Sequence, residues 1–320
     1  MNLDERICIM GNRKNKFKEK IIMERTKQEF VNEVVSELGV AMGEGYKVSA
    51  CEVSKLNGIV LTSINVLKEG ESIAPTLYID DRCTAYLKGN ITVSEVVEQL
   101  KGEYLRANRF CPSMDDCSVF DFNNVKQRIC YSLVNRELNK EMLEDTPYIE
   151  FFDLAIIFKV YCEIEGQIGT IRVRDEFLKS WGVTVEELYE IAKVNTPLRC
   201  GKVITPMSSV IKEMMGGLEV PEYTPADEMY VATNLQKSDG SSVMLYKDAF
   251  KELADKLDAD LYILPSSRHE VILLPVSSEI ELYGLKQIVQ SVNRTELALE
   301  DLLTDTVYMY KQATNEVVIA

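Results

Sequence analysis

IVLTSINVL (residues 59–67), KEGE (68–71) and APTLYI (74–79) read together as a strand, a polar turn carrying a glycine, and a returning strand. β-Branched and apolar residues dominate both runs, and so short a connection can only join antiparallel neighbours. Downstream, Thr92 and Glu95 have the spacing of a capping box, in which the hydroxyl and the carboxylate satisfy the free amides at a helix start. A hairpin whose apolar face must be covered by the helix that follows it is a building block of α+β folds.

The same block recurs along the chain. Leu154 to Glu163, a turn at Glu165-Gly166 and Ile168 to Val173 make a second. Met229 to Leu235, a turn at Ser238-Asp239-Gly240 and Ser242 to Tyr246 make a third. Leu261 to Leu264, the loop Pro265-Ser266-Ser267-Arg268 and Val271 to Leu274 make a fourth, and a helical pattern follows each. TLYIDDRCTAYLKGNITVSEVVEQLK (76–101) lies over TIRVRDEFLKSWGVTVEELYEIAK (170–193) with a two-residue gap. Asp81 then matches Asp175, Thr92 matches Thr184 and Glu95 matches Glu187. Asp81, Asp175 and Asp248 fall at recurring helix starts, where a carboxylate serves as an N-cap. The fold class is therefore α+β: repeated β-hairpin-plus-helix units, mostly antiparallel sheets with packed helices.

Before the first hairpin, Phe30, Val31, Val34, Val35 and Leu38 form the stripe of a helix from Met23 to Leu38, with Gly39 as its terminator. Gly39, Gly43 and Gly45 follow a helix instead of separating a strand from one, so they are no dinucleotide loop. Pro197, Pro206, Pro221 and Pro225 crowd with Gly216-Gly217 around a short helix at Ser208 to Met215. A linker there divides the chain into an N-terminal lobe, 23–205, and a C-terminal lobe, 206–320. Residues 108–124 read as an exposed loop. Residues 1–22 are basic and aperiodic and read as a disordered tail. Translation is expected to begin at Met23, where the basic stretch ends and the apolar stripe is about to start.

The chain has 36 Lys and Arg against 51 Asp and Glu, a net charge of −15. The first 28 residues carry +4, which leaves −19 on the rest. That balance disfavours direct binding to a phosphate backbone, which needs clustered cations. One histidine excludes paired-histidine metal sites and zincins. No apolar run is long enough to span a bilayer, so no membrane association is expected and the setting reads as cytoplasmic. The eight cysteines include no CxxC pair and read as reduced, mostly buried thiols.

Chemistry has few places to sit. His269 follows Ser266, Ser267 and Arg268 and precedes Glu270. Ser266 or Ser267 with His269 and Glu270 supplies the residue types of a serine hydrolase, although triads draw their members from separate segments and no GxSxG elbow is present. Asp115, Asp116 and Asp121 are the candidate cation ligands, without the calcium-loop spacing. Trp181 reads as core packing ahead of the second capping box, and Tyr308-Met309-Tyr310 as an edge strand. No cofactor motif occurs.

NGIVLTSINVLKEGESIAPTLYIDD (57–81), WGVTVEELYEIAKVNTP (181–197), DLYILPSSRHEVILLP (260–275) and VNRTELALEDLLTDTVYMY (292–310) resemble, in this order, a bacterial family, domain of unknown function 5688. The resemblance covers about residues 24–312 and implies a bacterial setting, with members in gut clostridia and their mobile elements. It implies no catalytic residues. The last quarter is also loosely similar to an uncharacterised bacillar family. The expected function is a non-enzymatic, acidic binding or regulatory protein of a mobile element or phage. Its partner would be a protein, basic in character, such as a nucleic-acid-binding or host-defence protein. A hydrolase using Ser266 or Ser267 with His269 is the alternative.

Overall fold

A computed structural model describes residues 26–71, 75–107, 119–164, 167–217, 224, 227–277 and 281–320. The tail 1–22, Asp115, Asp116, the turn Glu165-Gly166, Pro221 and Pro225 lie outside them. Two compact units emerge: one holds residues 1–54 and 60–117, the other 55–59 and 118–320. The division therefore falls at 117/118. Position 205, expected as the boundary, lies inside a strand, and Pro197 lies inside a helix, where its carbonyl accepts from Gly201 N–H at 3.0 Å.

The first unit opens with helix α1, residues 26–42, which runs through Gly39 and ends where Gly43 takes a positive φ. Strands β1 (Tyr46–Ser54), β2 (Val60–Lys68) and β3 (Thr76–Tyr78) form an antiparallel sheet in that order. The expected hairpin is β2–β3, with Ser63 opposite Tyr78; β1, which pairs with β2 from Tyr46 to Ser54, is an addition. Helices α2 (Asp80–Leu87) and α3 (Val93–Ala107) follow. Phe30, Val34, Ile64, Leu77, Val96 and Leu100 meet in the core, so the helical stripe covers the sheet as its period requires. The capping box is formed: Thr92 N–H donates to Glu95 at 2.8 Å, and Glu95 N–H to Thr92 Oγ1 at 3.3 Å.

In the second unit a helical turn at Phe122–Val125 leads into strand β4 (Ile129–Asn135), followed by β5 (Tyr148–Phe151), β6 (Leu154–Ile164) and β7 (Gln167–Arg172). β6 pairs with all three neighbours, antiparallel throughout, and β6–β7 is the second expected hairpin. Helices α4 (Asp175–Trp181) and α5 (Val185–Cys200) come next, joined by the Thr184–Glu187 capping box. Trp181 is core, stacked on Phe177 with its indole N–H donating to the Val119 carbonyl at 2.9 Å. Then come β8 (Val203–Pro206), α6 (Met207–Met214), β9 (Tyr230–Thr233), α7 (Lys251–Leu257), β10 (Leu261–Leu264), β11 (Val271–Pro275), α8 (Leu282–Thr295), β12 (Tyr308–Lys311) and β13 (Glu316–Ile319). The second sheet has the order β13-β12-β10-β11-β9-β8.

Three expectations need correction. The third hairpin does not form, because both edges of β9 are taken: Ala232 faces Val271 of β11 on one side and Ile204 of β8 on the other. Residues Gly240–Leu245, with no edge to join, wind into a 3-10 helix. Tyr308-Met309-Tyr310 is an interior strand, since β13 adds outside it. The aspartates stand at or near helix starts without capping them. Asp80 instead accepts from Lys27 Nζ and Thr62 N–H, each at 2.7 Å, and Asp248 accepts from Asn315. Asp81 and Asp175 act on the helix dipole from the first turn.

Candidate functional site

Within the nine residues LAIIFKVYC (154–162) of β6, Lys159 is the only charge. Its ammonium can stay there only if paired, because an isolated ion in such a setting loses its hydration without return. Asp239 supplies the pair. It sits in the turn after β9 at a φ of 51° and accepts from Lys159 Nζ at 2.6 Å through Oδ2. Its Oδ1 accepts from the Arg268 guanidinium at 2.8 Å. Burial by itself would push the Asp239 carboxyl up, but the two cations outweigh it and hold the group below the usual carboxylate range.

The β10–β11 connection brings Arg268 and His269 to this carboxylate. Its course is set by main-chain bonds: Arg268 N–H donates to Asp301 O at 2.9 Å, Leu303 N–H to Ser266 O at 2.9 Å, and Ser241 N–H to Arg268 O at 3.1 Å. Gly240 packs so closely that a Cβ there would overlap Thr233 Oγ1 and the carbonyl of His269. The His269 ring is held at both nitrogens. Asp239 N–H donates to Nδ1 at 3.3 Å, which leaves the proton on Nε2, 2.9 Å from Asp301 Oδ1. Arg268 Nε also reaches Asp301, at 3.4 Å. Two cations, Lys159 and Arg268, thus face two carboxylates, Asp239 and Asp301.

The structure brings His269 to a carboxylate from a distant segment, as a triad requires, but that carboxylate is Asp301 and not Glu270. The nucleophile is missing from the arrangement. A triad imidazole gives one nitrogen to its orienting carboxylate and the other to the serine. Here the second nitrogen is taken by a backbone amide. Ser267 Oγ accepts from His269 N–H at 3.0 Å, and Ser267 is buried, bridging to Leu302. Ser266 enters the network through its carbonyl. Of the cation candidates, Asp121 caps the helical turn Phe122–Val125, accepting from Asn123 N–H at 3.0 Å. Among the described residues, no cluster of three or more His, Cys, Asp and Glu could hold a metal ion. Nor is any helix among them long and apolar enough to cross a membrane.

Of this set, sequence reading singled out only His269; it took Arg268 as part of a loop and Asp239 as a hairpin turn, and it missed Lys159 and Asp301. Lys159 had a signal, a charge in the middle of the apolar run LAIIFKVYC. Asp301 had none, because only the fold returns residue 301 to residue 269. Neither a curated protein nor a solved structure matches the chain. The model of one family does match, over residues 27–312, and the chain belongs to it: the Family of unknown function (DUF5688).

Proposed function

We propose that this protein acts by binding a basic protein partner and is not a hydrolase. The observation that carries this reading is the closed state of the His269 network. Both ring nitrogens have partners, the nearby Ser267 hydroxyl is tied to the backbone, and every charge in the set is matched. Groups so committed hold a fold together, and the set lacks the serine–imidazole hydrogen bond on which a serine hydrolase depends. The charge of −15 supports the choice of partner, since an acidic surface speeds encounter with basic proteins and repels acidic ones. In its specific form the reading is a mobile-element or phage protein that occupies a nucleic-acid-binding or host-defence protein of its bacterium.

The test is to tag the protein in its host cell, identify what co-purifies, and remeasure binding with purified components. A basic partner is expected, with an affinity that falls about tenfold or more between low and high salt. His269→Ala should change that affinity by no more than about threefold. Turnover of a serine-reactive ester that is lost in His269→Ala, with folding intact, would overturn the proposal.

A further inference from the structure

We propose that helix α6 is the docking face for a basic amphipathic helix of the partner, an inference that rests on the reading of this protein as a binder of basic proteins. Met207, Val210, Ile211 and Met214 stand at i, i+3, i+4 and i+7, the stripe by which a helix packs onto a body. Elsewhere in the fold such stripes are covered: Val93, Val96, Val97 and Leu100 of α3 are buried, as are Leu285 and Val289 of α8. No residue of α6 is buried. Met214 is 81% exposed, Met215, just past the helix end, 50%, and Met229 40%. Met229 adjoins the helix start, where its carbonyl accepts from Met207 N–H at 2.8 Å. A cleft of about 60 Å³ lies there, lined by Met207, Ile211, Glu228 and Met229 among others. It has space for about four atoms the size of a water, the isobutyl group of one leucine. Apolar surface gathered in this way on one helix marks an interaction site.

Charge selects the occupant. Residues 207–229 hold four of the chain's 12 methionines and five carboxylates, Glu213, Glu219, Glu222, Asp227 and Glu228, against one cation, Lys212. The described carboxylates are met by neutral donors only. Glu228 accepts from Ser208 N–H at 3.1 Å and from Ser208 Oγ at 2.6 Å, and Asp227 accepts from Thr224 Oγ1. Glu213 has no partner among the described residues. An anionic lipid surface is repelled by such a segment, and so is a second copy of a chain with a net charge of −15. A basic amphipathic helix suits both features. Its apolar residues, spaced three and four apart, lie on the methionine stripe, and its Lys and Arg flank that stripe opposite the carboxylates. Methionine's flexible thioether lets the stripe mould itself to the incoming side chains.

The experiment uses the full chain and a fluorescent peptide of about 18 leucines and lysines, ordered so that all leucines share one helical face. Binding is read by anisotropy. Met214→Gln with Met215→Gln changes only exposed side chains, and a thermal scan confirms that the double variant folds. It should bind the peptide at least about tenfold more weakly than wild type, while Ile288→Gln, at an exposed apolar position on α8, should change affinity by no more than about twofold. The same residues in scrambled order should also bind at least about tenfold more weakly. The inference fails if the double variant binds within about twofold of wild type, since charge alone then holds the peptide. It fails equally if phosphatidylglycerol vesicles bind through Met214 and Met215 more tightly than the peptide does, or if sedimentation shows a dimer that the double variant loses. The basic protein co-purified from the host separates the two readings. If it binds the double variant as tightly as wild type, the α6 inference falls and the basic partner stands. If no basic protein is captured while the peptide still depends on Met214 and Met215, the partner reading falls and the basic-helix site stands.

Discussion

Lys159, Asp239 and Arg268 show how a buried charge dictates its surroundings. The Lys159 and Asp239 side chains are 13% and 12% exposed, so their pairing is not a surface salt bridge of negligible worth. Lys159→Met should destabilise the second unit by about 3 kcal/mol, the lower end for breaking a buried pair, because Arg268 still faces the carboxylate. Urea unfolding measures it; a change below about 1 kcal/mol would mean that Asp239 is solvated. Gly240→Ala tests the neighbouring turn. A Cβ has no room between Thr233 and the His269 carbonyl, so a loss of about 2 kcal/mol is expected from overpacking of backbone that cannot move aside. At His269 the expectation is of a different kind. His269→Ala removes the hydrogen bonds to Asp301 and Asp239 N–H and should cost stability, while partner binding stays nearly unchanged.

Helix α5 starts at the second capping box. Thr184 fixes its first turn, accepting from Glu187 N–H at 3.2 Å while Glu187 accepts from Thr184 N–H at 2.8 Å. Thr184→Ala should cost about 1 kcal/mol. For a unit of this size that corresponds to a fall of about 3 °C in Tm. Thr92→Ala at α3 should do the same in the first unit, since its box has the same geometry. A thermal scan in which neither threonine mattered would show that tertiary packing alone sets these helix starts. The two boxes were legible because a capping box is local: hydroxyl, carboxylate and amides lie within four residues. The third hairpin was misread for the opposite reason. Its strand-like composition is real, but pairing depends on which edges are free, and β8 and β11 come from elsewhere in the chain.

The pH dependence of stability and the net charge belong to the protein as a unit. Asp239 has a folded pKa below its unfolded value, near 4. The folded state therefore binds fewer protons than the unfolded state in this range. Its contribution is fully present above about pH 4 and is lost as pH falls below 4 through the folded value. Urea midpoints measured from pH 6 down to pH 2.5 should drop most steeply below pH 4, and Asp239→Asn should flatten that part of the curve. A wild-type curve level down to pH 3 would contradict the assignment. The excess of acidic residues acts at longer range, and its effect on partner association should weaken with salt as screening shortens its reach.

What the amino-acid sequence determined alone is what short-range physics controls. The α+β class, the β2–β3, β6–β7 and β10–β11 hairpins, both capping boxes and the buried place of Trp181 each follow from residues within one turn or one strand pair. Even there the exact function of a side chain escaped: Asp80 is at a helix start, yet its carboxylate binds Lys27, fifty-three residues away. Only the tertiary structure decided the division at residue 117, the six-strand order, the 3-10 helix at Gly240–Leu245 and the meeting of Lys159, Asp239, Arg268, His269 and Asp301. These depend on which distant segments share a sheet edge or a buried charge. A local window cannot encode such choices, because the energy that settles them, the cost of an unpaired strand edge or an unpaired ion, exists only once the chain has folded.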